Sequence, residues 1–245
     1  MPPRFHTDTT LHAGTELALP DNAARHVQVL RLQPGDAITL FDGQGGQWQA
    51  EVLVMERKRV TARLLAHAPV ECELATAVTL ALGMPANERM DGLVEKATEL
   101  GVAHIVPLVC ERSVLRLDGE RAQRKAAHWQ AIAVAACEQS GRNRVPQVLA
   151  PVAMRTWLAG LPASHATASR LQLSLAPGSQ ALAAVLAGTN ASSITLLSGP
   201  EGGLSAAEMA LSEASGFQPV SLGQRVLRAD TAPLAALALI GSLAG

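Results

Sequence analysis

From Val78 to the C-terminus, the sequence alternates apolar, strand-like runs with stretches that have helical periodicity. Val78–Met84 is the first apolar run, Glu88–Leu100 places apolar residues at helical spacing, and Ala103–Val109 is the next apolar run. Gly101, between the last two, stands where a left-handed helix cap is expected. A strand, a helix and a second buried strand in this order form a parallel unit. The alternation therefore predicts an α/β fold, with a mostly parallel sheet covered by helices on both faces.

The same alternation continues to the end of the chain. A long helix is predicted over Asp118–Ser140, because its apolar residues form one stripe and Gly141 follows it. The later predicted strands are Gln147–Leu149, Leu171–Leu175, Ile194–Ser198 and Phe217–Leu222. The later predicted helices are Ala153–Leu158, Ser179–Leu186, one that begins after Ser205 and ends at Gly216, and one that runs from Asp230 or Thr231 to Leu243. Ser205 and Glu208 have the spacing of a capping box, which predicts where the third of these helices begins.

Residues 1–72 have a different pattern, dominated by short strands. Asp36–Phe41 and Gln47–Val54 flank a glycine-rich turn, which is typical of a hairpin, and Val60–Leu65 is a further strand-like run. Asn22–Leu30 is the one helical stretch among them. We therefore expect a small β-rich domain over residues 1–72 and an α/β domain over residues 73–245, with the boundary inside Glu71–Thr76.

The composition excludes several classes of protein. Residues 1–10 are polar, unlike a signal peptide, and the longest apolar run, Pro233–Ile240, is too short to cross a membrane, so we expect a cytoplasmic protein. Cys72, Cys110 and Cys137 are widely spaced, without the pairing that zinc or a disulfide framework requires. They are expected to be buried, unreactive thiols, and no metal is expected.

The charge of the chain argues against nucleic-acid binding by bulk electrostatics. The formal net charge is −1, and phosphate affinity comes from neutralising cations. The segment between Leu108 and Pro146 nevertheless has seven basic against four acidic side chains, a net of +3. Its basic side chains are Arg112, Arg116, Arg121, Arg124, Lys125, Arg142 and Arg144. Two interpretations stay open, a local RNA-binding patch and an ordinary solvated helix face.

Two glycine-containing loops follow predicted strands, at the sheet edge where open α/β sheets bind ligands. Gly199–Gly203 precedes the capping-box helix, whose free backbone N–H groups point into the turn, and Leu222–Thr231 precedes the terminal helix. Glycine lets the backbone approach a ligand closely. Neither loop matches a phosphate-binding or dinucleotide-binding motif, so by itself the pattern also fits a plain structural turn.

The two loops together resemble the signature of a known enzyme family. Ser198–Ser205 and Leu222–Ala232 are similar to the paired motifs of the ribosomal RNA uridine N3-methyltransferases known as RsmE, members of the SPOUT superfamily. Further matching segments are Pro3–His6, His26–Leu32, Arg89–Val102, Pro107–Ser113 and Ala136–Pro146. The sequence departs from the family pattern at Asp230, where glutamate is usual, and at Pro233, where alanine is usual.

The resemblance implies a fold and an activity. The fold would be a PUA-like RNA-binding β-barrel followed by a SPOUT domain with a C-terminal trefoil knot, in a homodimer. The activity would be transfer of a methyl group from S-adenosyl-L-methionine to N3 of a uridine, U1498 in the family, in 16S ribosomal RNA of the small subunit. Neither a metal nor a membrane takes part.

The resemblance also suggests roles for individual residues. The methyl donor would be bound by Leu175, Gly199, Glu201, Gly202, Gly203, Leu222, Gly223, Val226, Leu227, Ala229 and Thr231. Arg228, and also Arg225, would stabilise negative charge on the uracil oxygens, and Glu201 or Asp230 would accept the proton. RNA would be contacted by Arg4, His6, Arg25, Arg31, Arg112, Arg142 and Arg144. Glu201 and Asp230 also fit a purely structural role as helix caps, and His6 fits an ordinary surface histidine.

Two rival functions stay open at this level. A related knotted enzyme with the same donor cleft would methylate a tRNA ribose or another ribosomal RNA base. A non-enzymatic assembly factor would bind RNA and retain a vestigial pocket. The glycines in both loops disfavour the second rival, because a vestigial pocket has no need of close backbone approach.

Overall fold

The structure is a computed structural model that describes residues 2–57, 59–162 and 167–243, and these fall into two units. The first unit consists of Met1–Glu73 and Val134–Val145, and the second of Leu74–Ala133 and Pro146–Gly245. No sequence signal separates residues 134–140 from the second unit, since they continue the long predicted helix.

The N-terminal segment of the first unit forms a five-stranded sheet and a short helix. Its elements are β1 (Arg4–His6), β2 (Glu16–Ala18), α1 (Asp21–Val29), β3 (Ala37–Phe41), β4 (Gln47–Met55) and β5 (Val60–Ala68). The strand order is β1-β3-β4-β5-β2, and every pairing is antiparallel except that of β1 with β3. The predicted hairpin is confirmed, because β3 and β4 pair with Leu40 opposite Trp48. Phe5, Val27, Leu40 and Val52 are completely buried in the core of this unit.

The second unit is built on an eight-stranded sheet. Its elements are β6 (Ala77–Gly83), α2 (Asn87–Glu99), β7 (His104–Val109), α3 (Gly119–Ser140), β8 (Gln147–Val148), β9 (Val152–Ala153), α4 (Met154–Ala159), β10 (Ala168–Leu173), β11 (Gln180–Ala181), α5 (Leu182–Ala187), β12 (Ser193–Ser198), α6 (Ala206–Ala214), β13 (Gln218–Ser221) and α7 (Thr231–Leu243). The C-terminal part of α3 belongs to the first unit. The strand order is β11-β13-β10-β12-β6-β7-β8, with β9 also paired to β7, and all these pairings are parallel. The predicted α/β fold is confirmed.

The buried surfaces of this sheet explain the apolar runs in the sequence. Leu80, Leu82 and Leu196, in the central strands β6 and β12, have almost no solvent exposure. Trp129 of α3 and Leu237 of α7 pack in the same core. Strands covered on both faces are apolar along their whole length, which is why they stand out in the sequence.

Two predictions around β10 and β11 are wrong in detail. The predicted strand Leu171–Leu175 ends at Leu173, so that Leu175 lies in the following loop. The predicted helix Ser179–Leu186 begins only at Leu182, because Gln180 and Ala181 form β11, which pairs with β13. A strand of two residues has no periodicity of its own, and this one depends on a partner about forty residues further along the chain.

Among the residues that the structure describes, no helix is both long and apolar enough to span a membrane. The same residues contain no group of three or more histidine, cysteine, aspartate and glutamate side chains arranged for a metal ion. Of the three cysteines, Cys110 and Cys137 are buried, and burial raises the pKa of both thiols to about 12. The expectation that Cys72 is buried is wrong, since it is exposed in the segment that precedes β6.

Candidate functional site

A cavity of about 660 Å³ lies in the second unit, at the carboxyl ends of β10, β12 and β13. Three chain segments form most of its wall, one after each of these strands. The first predicted loop contributes Ser198, Gly199, Pro200, Glu201, Gly203 and Leu204. The second contributes Leu222, Arg225, Val226, Leu227, Arg228 and Ala229. The structure thus brings the two loops that the sequence singled out to one cavity.

The first loop is held in place by close packing and by the capping box of α6. A Cβ atom on Gly83, at the end of β6, would lie 2.4 Å from Pro200 Cδ, so the glycine permits this approach. The predicted capping box is confirmed, because Ser205 Oγ accepts from the Glu208 amide at 3.2 Å and Glu208 Oε2 accepts from the Ser205 amide at 2.9 Å. The α6 N-terminus is therefore fixed directly beside the cavity.

The second loop runs from β13 to the start of α7. Gly223 has a φ of +102°, a conformation that favours glycine, so the chain turns sharply after Leu222. The carbonyl oxygen of Arg228 accepts from the amides of Thr231 and Ala232, both at 3.0 Å, and so forms the first turn of α7. Ala232 also lines the cavity.

A third wall segment follows β10, and Leu175 is the only residue in it that was predicted from the sequence. Ser174, Leu175 and Ala176 line the cavity, as do Gln172 and Leu173 at the end of the strand. Ser174 donates its amide to the carbonyl oxygen of Val220, which ties this segment to β13 at 2.8 Å. The segment has neither a glycine cluster nor a charged side chain, so nothing in the sequence distinguishes it from an ordinary connection.

The floor and the rim of the cavity differ in polarity. Gln172, Ser198, Leu204 and Val220 are at most 8% exposed, and none of them is charged. The exposed lining residues are Arg89, Leu175, Ala176, Glu201, Arg225, Val226 and Arg228. The cavity therefore combines an uncharged floor with a rim that carries most of its charge.

The predicted catalytic residues lie in different surroundings. Arg228 is in the cavity wall with an exposed side chain. Asp230 is not among the lining residues, although its neighbours Ala229 and Ala232 are. Its Oδ1 atom is buried and has no hydrogen-bond partner among the described residues. A buried carboxylate oxygen without a donor is costly, so such an atom near a cavity suggests a functional group.

Glu201 lies in the cavity wall, but it is engaged with the start of α2. Its Oε1 atom accepts from the Ala86 amide at 3.2 Å and lies 3.6 Å from Arg89 Nη1. Arg89 lines the cavity and was not identified as a site residue from the sequence. Glu201 accepts from the N-cap residue of α2, so the structural role at a helix start that the sequence left open fits it there, whereas Ser205 and Glu208 cap α6.

Three residues that the resemblance assigned to the donor cleft do not line the cavity: Gly202, Gly223 and Thr231. Gly202 packs against Arg112, where a Cβ atom would lie 2.9 Å from Arg112 Cβ. Arg112 Nη1 in turn donates to the Gly202 carbonyl oxygen at 3.0 Å. These three residues therefore shape the loops without facing the cavity.

Two of the predicted RNA-binding arginines are buried within the first unit. Arg4 is 9% exposed and donates to the Arg142 carbonyl oxygen at 3.1 Å and to Asn143 Oδ1 at 2.7 Å. Arg142 is 3% exposed and pairs with Glu73. Both guanidiniums hold the 142–143 segment in the unit, and their contact with RNA stays a prediction.

The other predicted RNA-binding residues are more accessible. Arg25, Arg31 and Arg144 are exposed in the first unit, and Arg112 is exposed in the second. Arg31 has a φ of 56°, the one non-glycine residue with positive φ among those described. His6 has a 14% exposed side chain whose Nδ1 atom lies 3.7 Å from Asp8 Oδ1.

The chain is similar to known proteins over most of its length. The family described as RNA methyltransferase domain matches residues 72–241, and the family described as RNA methyltransferase PUA domain matches residues 19–65. Ribosomal RNA small subunit methyltransferase E from Synechocystis sp. is 39% identical, with 88% of this chain and 69% of that protein covered. The protein of that name from Bacillus subtilis is 32% identical, with 87% of this chain and 84% of that protein covered.

A solved structure is also closely similar. It is that of a Ribosomal RNA small subunit methyltransferase E from Neisseria gonorrhoeae bound to S-adenosyl methionine. It is 37% identical, covers 99% of this chain and 98% of its own, and has a TM-score of 0.89. The similarity extends over both units.

Proposed function

Because this chain belongs to the family of the Ribosomal RNA small subunit methyltransferases E, we propose that it methylates N3 of U1498 in 16S ribosomal RNA. The chain is an RNA methyltransferase that uses S-adenosyl-L-methionine, like the relative from Neisseria gonorrhoeae that holds this molecule. The single observation that carries the proposal is the cavity, since both loops of the signature form its wall.

The cavity fits the methyl donor in size and in polarity. Its volume of about 660 Å³ lies within the range of roughly 300–1,000 Å³ that is typical of small-molecule sites. Val220 and Leu204 give an apolar floor, while Gln172 and Ser198 offer neutral polar groups to a nucleoside. We assign donor contacts to Leu175, Gly199, Glu201, Gly203, Leu222, Val226, Leu227 and Ala229, which line the cavity. Gly202, Gly223 and Thr231 set the path of the loops that carry these contacts.

The chain supplies charge control for the reaction. When bound, the donor supplies an electrophilic methyl group on its sulfonium sulfur. The methyl carbon bonds to uracil N3 as its bond to sulfur breaks, and N3 loses its proton. Arg228, exposed in the cavity wall, stabilises the negative charge that develops on the uracil oxygens. Asp230 accepts the N3 proton, directly or through a water, because its Oδ1 atom has no hydrogen-bond donor of its own.

We assign RNA contacts to Arg25, Arg31 and Arg144, with His6, in the first unit and to Arg112 in the second. We assign residues 1–72 to an RNA-binding PUA-like domain and residues 73–245 to a SPOUT domain. The match of the PUA family to residues 19–65 supports the first assignment.

The trefoil knot of the family is supported by the position of β13. This strand pairs with β10 on one side and with β11 on the other, although β10 and β11 are consecutive in the chain. A connection of six residues joins β10 to β11, and β13 later inserts between these two strands. Such an insertion is expected where the chain passes through a loop formed by an earlier segment. The homodimer is supported by Leu175 and Val226, apolar cavity-rim residues that are 53% and 84% exposed in the single chain. We place the enzyme in the cytoplasm, with its ribosomal RNA substrate.

The decisive experiment is incubation of the protein with labelled S-adenosyl-L-methionine and unmodified small ribosomal subunits, followed by location of the label. N3-methyluridine at U1498 is the expected product. A label on another base, or on tRNA ribose when tRNA is supplied, would identify a different acceptor for the same cleft. Failure to bind the donor in calorimetry would instead indicate a non-enzymatic assembly factor.

A further inference from the structure

One carboxylate oxygen in the cavity wall has two partners from the start of α2. Glu201 Oε1 lies 3.6 Å from Arg89 Nη1 and accepts from the Ala86 amide at 3.2 Å. Arg89 belongs to the first turn of α2, whereas Glu201 belongs to the loop after β12. The pair therefore connects two separate segments of the wall and restricts where the Arg89 guanidinium can lie.

The charges of the cavity are not matched to the methyl donor. Among the described side chains that line it, Arg89, Arg225 and Arg228 are positive and Glu201 alone is negative, a net of +2. S-adenosyl-L-methionine is itself a net cation at neutral pH, with a sulfonium, an ammonium and one carboxylate. Like charges repel, so this excess favours a ligand with more negative charge than the donor has.

The position of Arg89 favours an anion that reaches the cavity from outside. Its side chain is 41% exposed, whereas the floor residues Gln172 and Val220 are buried. An uncharged adenosine suits the floor, and the backbone of a bound RNA strand must pass over the rim. A guanidinium can form two parallel hydrogen bonds with a phosphate, which gives direction as well as charge.

We propose, on the basis of the function proposed above, that Arg89 binds a phosphodiester group next to the target uridine and that Glu201 is a positioning residue for Arg89. In this arrangement Glu201 does not accept the N3 proton. Its Oε1 atom already accepts a hydrogen bond from the Ala86 amide and lies close to the Arg89 guanidinium. Protonation of this carboxylate would weaken both the hydrogen bond and the ion pair. Besides the donor contact proposed above, Glu201 therefore serves substrate placement and not proton transfer.

The test is steady-state kinetics with unmodified small subunits for Arg89→Ala, Arg89→Lys and Glu201→Gln. Removing one or two phosphate contacts should raise the KM for RNA about tenfold in Arg89→Ala, with kcat changed less than about twofold. Arg89→Lys should show a smaller rise in KM, because lysine keeps the positive charge but cannot form the two parallel hydrogen bonds of a guanidinium. Glu201→Gln should raise KM about threefold and leave the pH profile of kcat unchanged, since its amide oxygen still accepts from Ala86.

A matched control is Arg155→Ala. Arg155 is an exposed arginine on α4 of the same unit and does not line the cavity. It should leave KM and kcat unchanged. An equal rise of KM in Arg155→Ala would reduce the Arg89 effect to general electrostatics and overturn the proposal.

The donor carboxylate is the other anion that Arg89 could bind. Calorimetry with S-adenosylhomocysteine and with methylthioadenosine, which lacks the amino-acid carboxylate, separates the two. The affinity of Arg89→Ala for both compounds should equal that of the wild type. Selective loss of S-adenosylhomocysteine binding in Arg89→Ala would overturn the phosphate assignment. A hundredfold fall of kcat with an altered pH profile in Glu201→Gln would make Glu201 the proton acceptor. A wild-type protein that transfers no methyl group would instead refute the proposed function.

Discussion

Glu208 Oε1 accepts a hydrogen bond from the backbone amide of Glu111 at 2.8 Å, and Glu208 Oε2 completes the α6 capping box. The carboxylate is buried, and Glu111 lies in the loop after β7. One side chain therefore connects the helix that begins beside the cavity to a neighbouring loop of the sheet.

Glu208→Ala should lower the free energy of unfolding by about 2 kcal/mol, because it removes a helix cap and leaves the Glu111 amide without its acceptor. Urea denaturation of the wild type and the variant measures the difference. Glu213→Ala, at an exposed position near the end of the same helix, is the matched control and should change stability by less than about 0.5 kcal/mol. Equal losses in both variants would contradict the role given to Glu208.

Gly83→Ala should distort the first wall of the cavity. The added methyl group would lie 2.4 Å from Pro200 Cδ and 2.5 Å from the Pro200 nitrogen, so the loop that starts at Gly199 must move. We expect weaker binding of S-adenosyl-L-methionine in calorimetry and a stability loss of about 1–3 kcal/mol.

Gly92→Ala provides the control for this substitution. Gly92 lies in the interior of α2 with open space around its Cβ position, so alanine there should stabilise the protein by about 0.5–1 kcal/mol. Its donor affinity should equal that of the wild type. Wild-type donor affinity in Gly83→Ala would show that the contact with Pro200 does not shape the cavity.

Arg228→Ala and Asp230→Asn should separate donor binding from methyl transfer. Loss of charge stabilisation should lower kcat by about 10²–10³ in Arg228→Ala. Loss of the proton acceptor should lower it by roughly 10²–10⁴ in Asp230→Asn. Calorimetry should show nearly unchanged donor affinity in both variants. Wild-type turnover in both would remove these residues from the mechanism.

Glu138 gives the first unit a pH-dependent stability. Burial raises the pKa of this carboxyl group, although the His6 amide donates to it at 2.9 Å and nearby His26, His6 and Arg4 oppose the shift. A carboxyl group with a raised pKa in the folded state makes the protein less stable as the pH rises from the unfolded pKa through the folded one.

Glu138→Gln removes this titration and keeps an oxygen that can accept from His6. The stability of the variant relative to the wild type should therefore increase between pH 4 and pH 7, as measured by urea denaturation at both values. The reference is Glu120→Gln, whose carboxylate is 91% exposed, and which should show no such change. A relative stability of Glu138→Gln that is the same at both pH values would contradict the burial argument.

Local patterns in the sequence were enough to predict most elements of the second unit. The β6–α2–β7 unit, the long α3 and the capping box of α6 each depend on residues close together in the chain, so periodicity and caps indicate them directly. The two glycine-containing loops were predicted as one site because both follow buried strands of a parallel sheet.

The elements that could not be predicted from the sequence depend on segments far away in the chain. The pairing of β11 with β13 and the cavity segment after β10 leave no local signal. Arg89 and Arg4 show the same difference for single side chains: both are arginines in motif segments, but one lines the cavity and the other is buried beside Asn143. A sequence shows which residues are charged, but burial arises only when remote segments pack.

The sequence by itself determined the α/β class and the β-rich first segment, because these follow from local periodicity and turn chemistry. It identified the two loops of the methyltransferase signature through their resemblance to a known family. Only the tertiary structure decided that Glu201 faces Arg89 and Ala86, that Asp230 keeps a buried oxygen without a donor, and that Arg4 and Arg142 hold the protein together. The reason is physical, since desolvation and hydrogen-bond partners are set by neighbours in space, and these neighbours lie up to 139 residues apart in the chain.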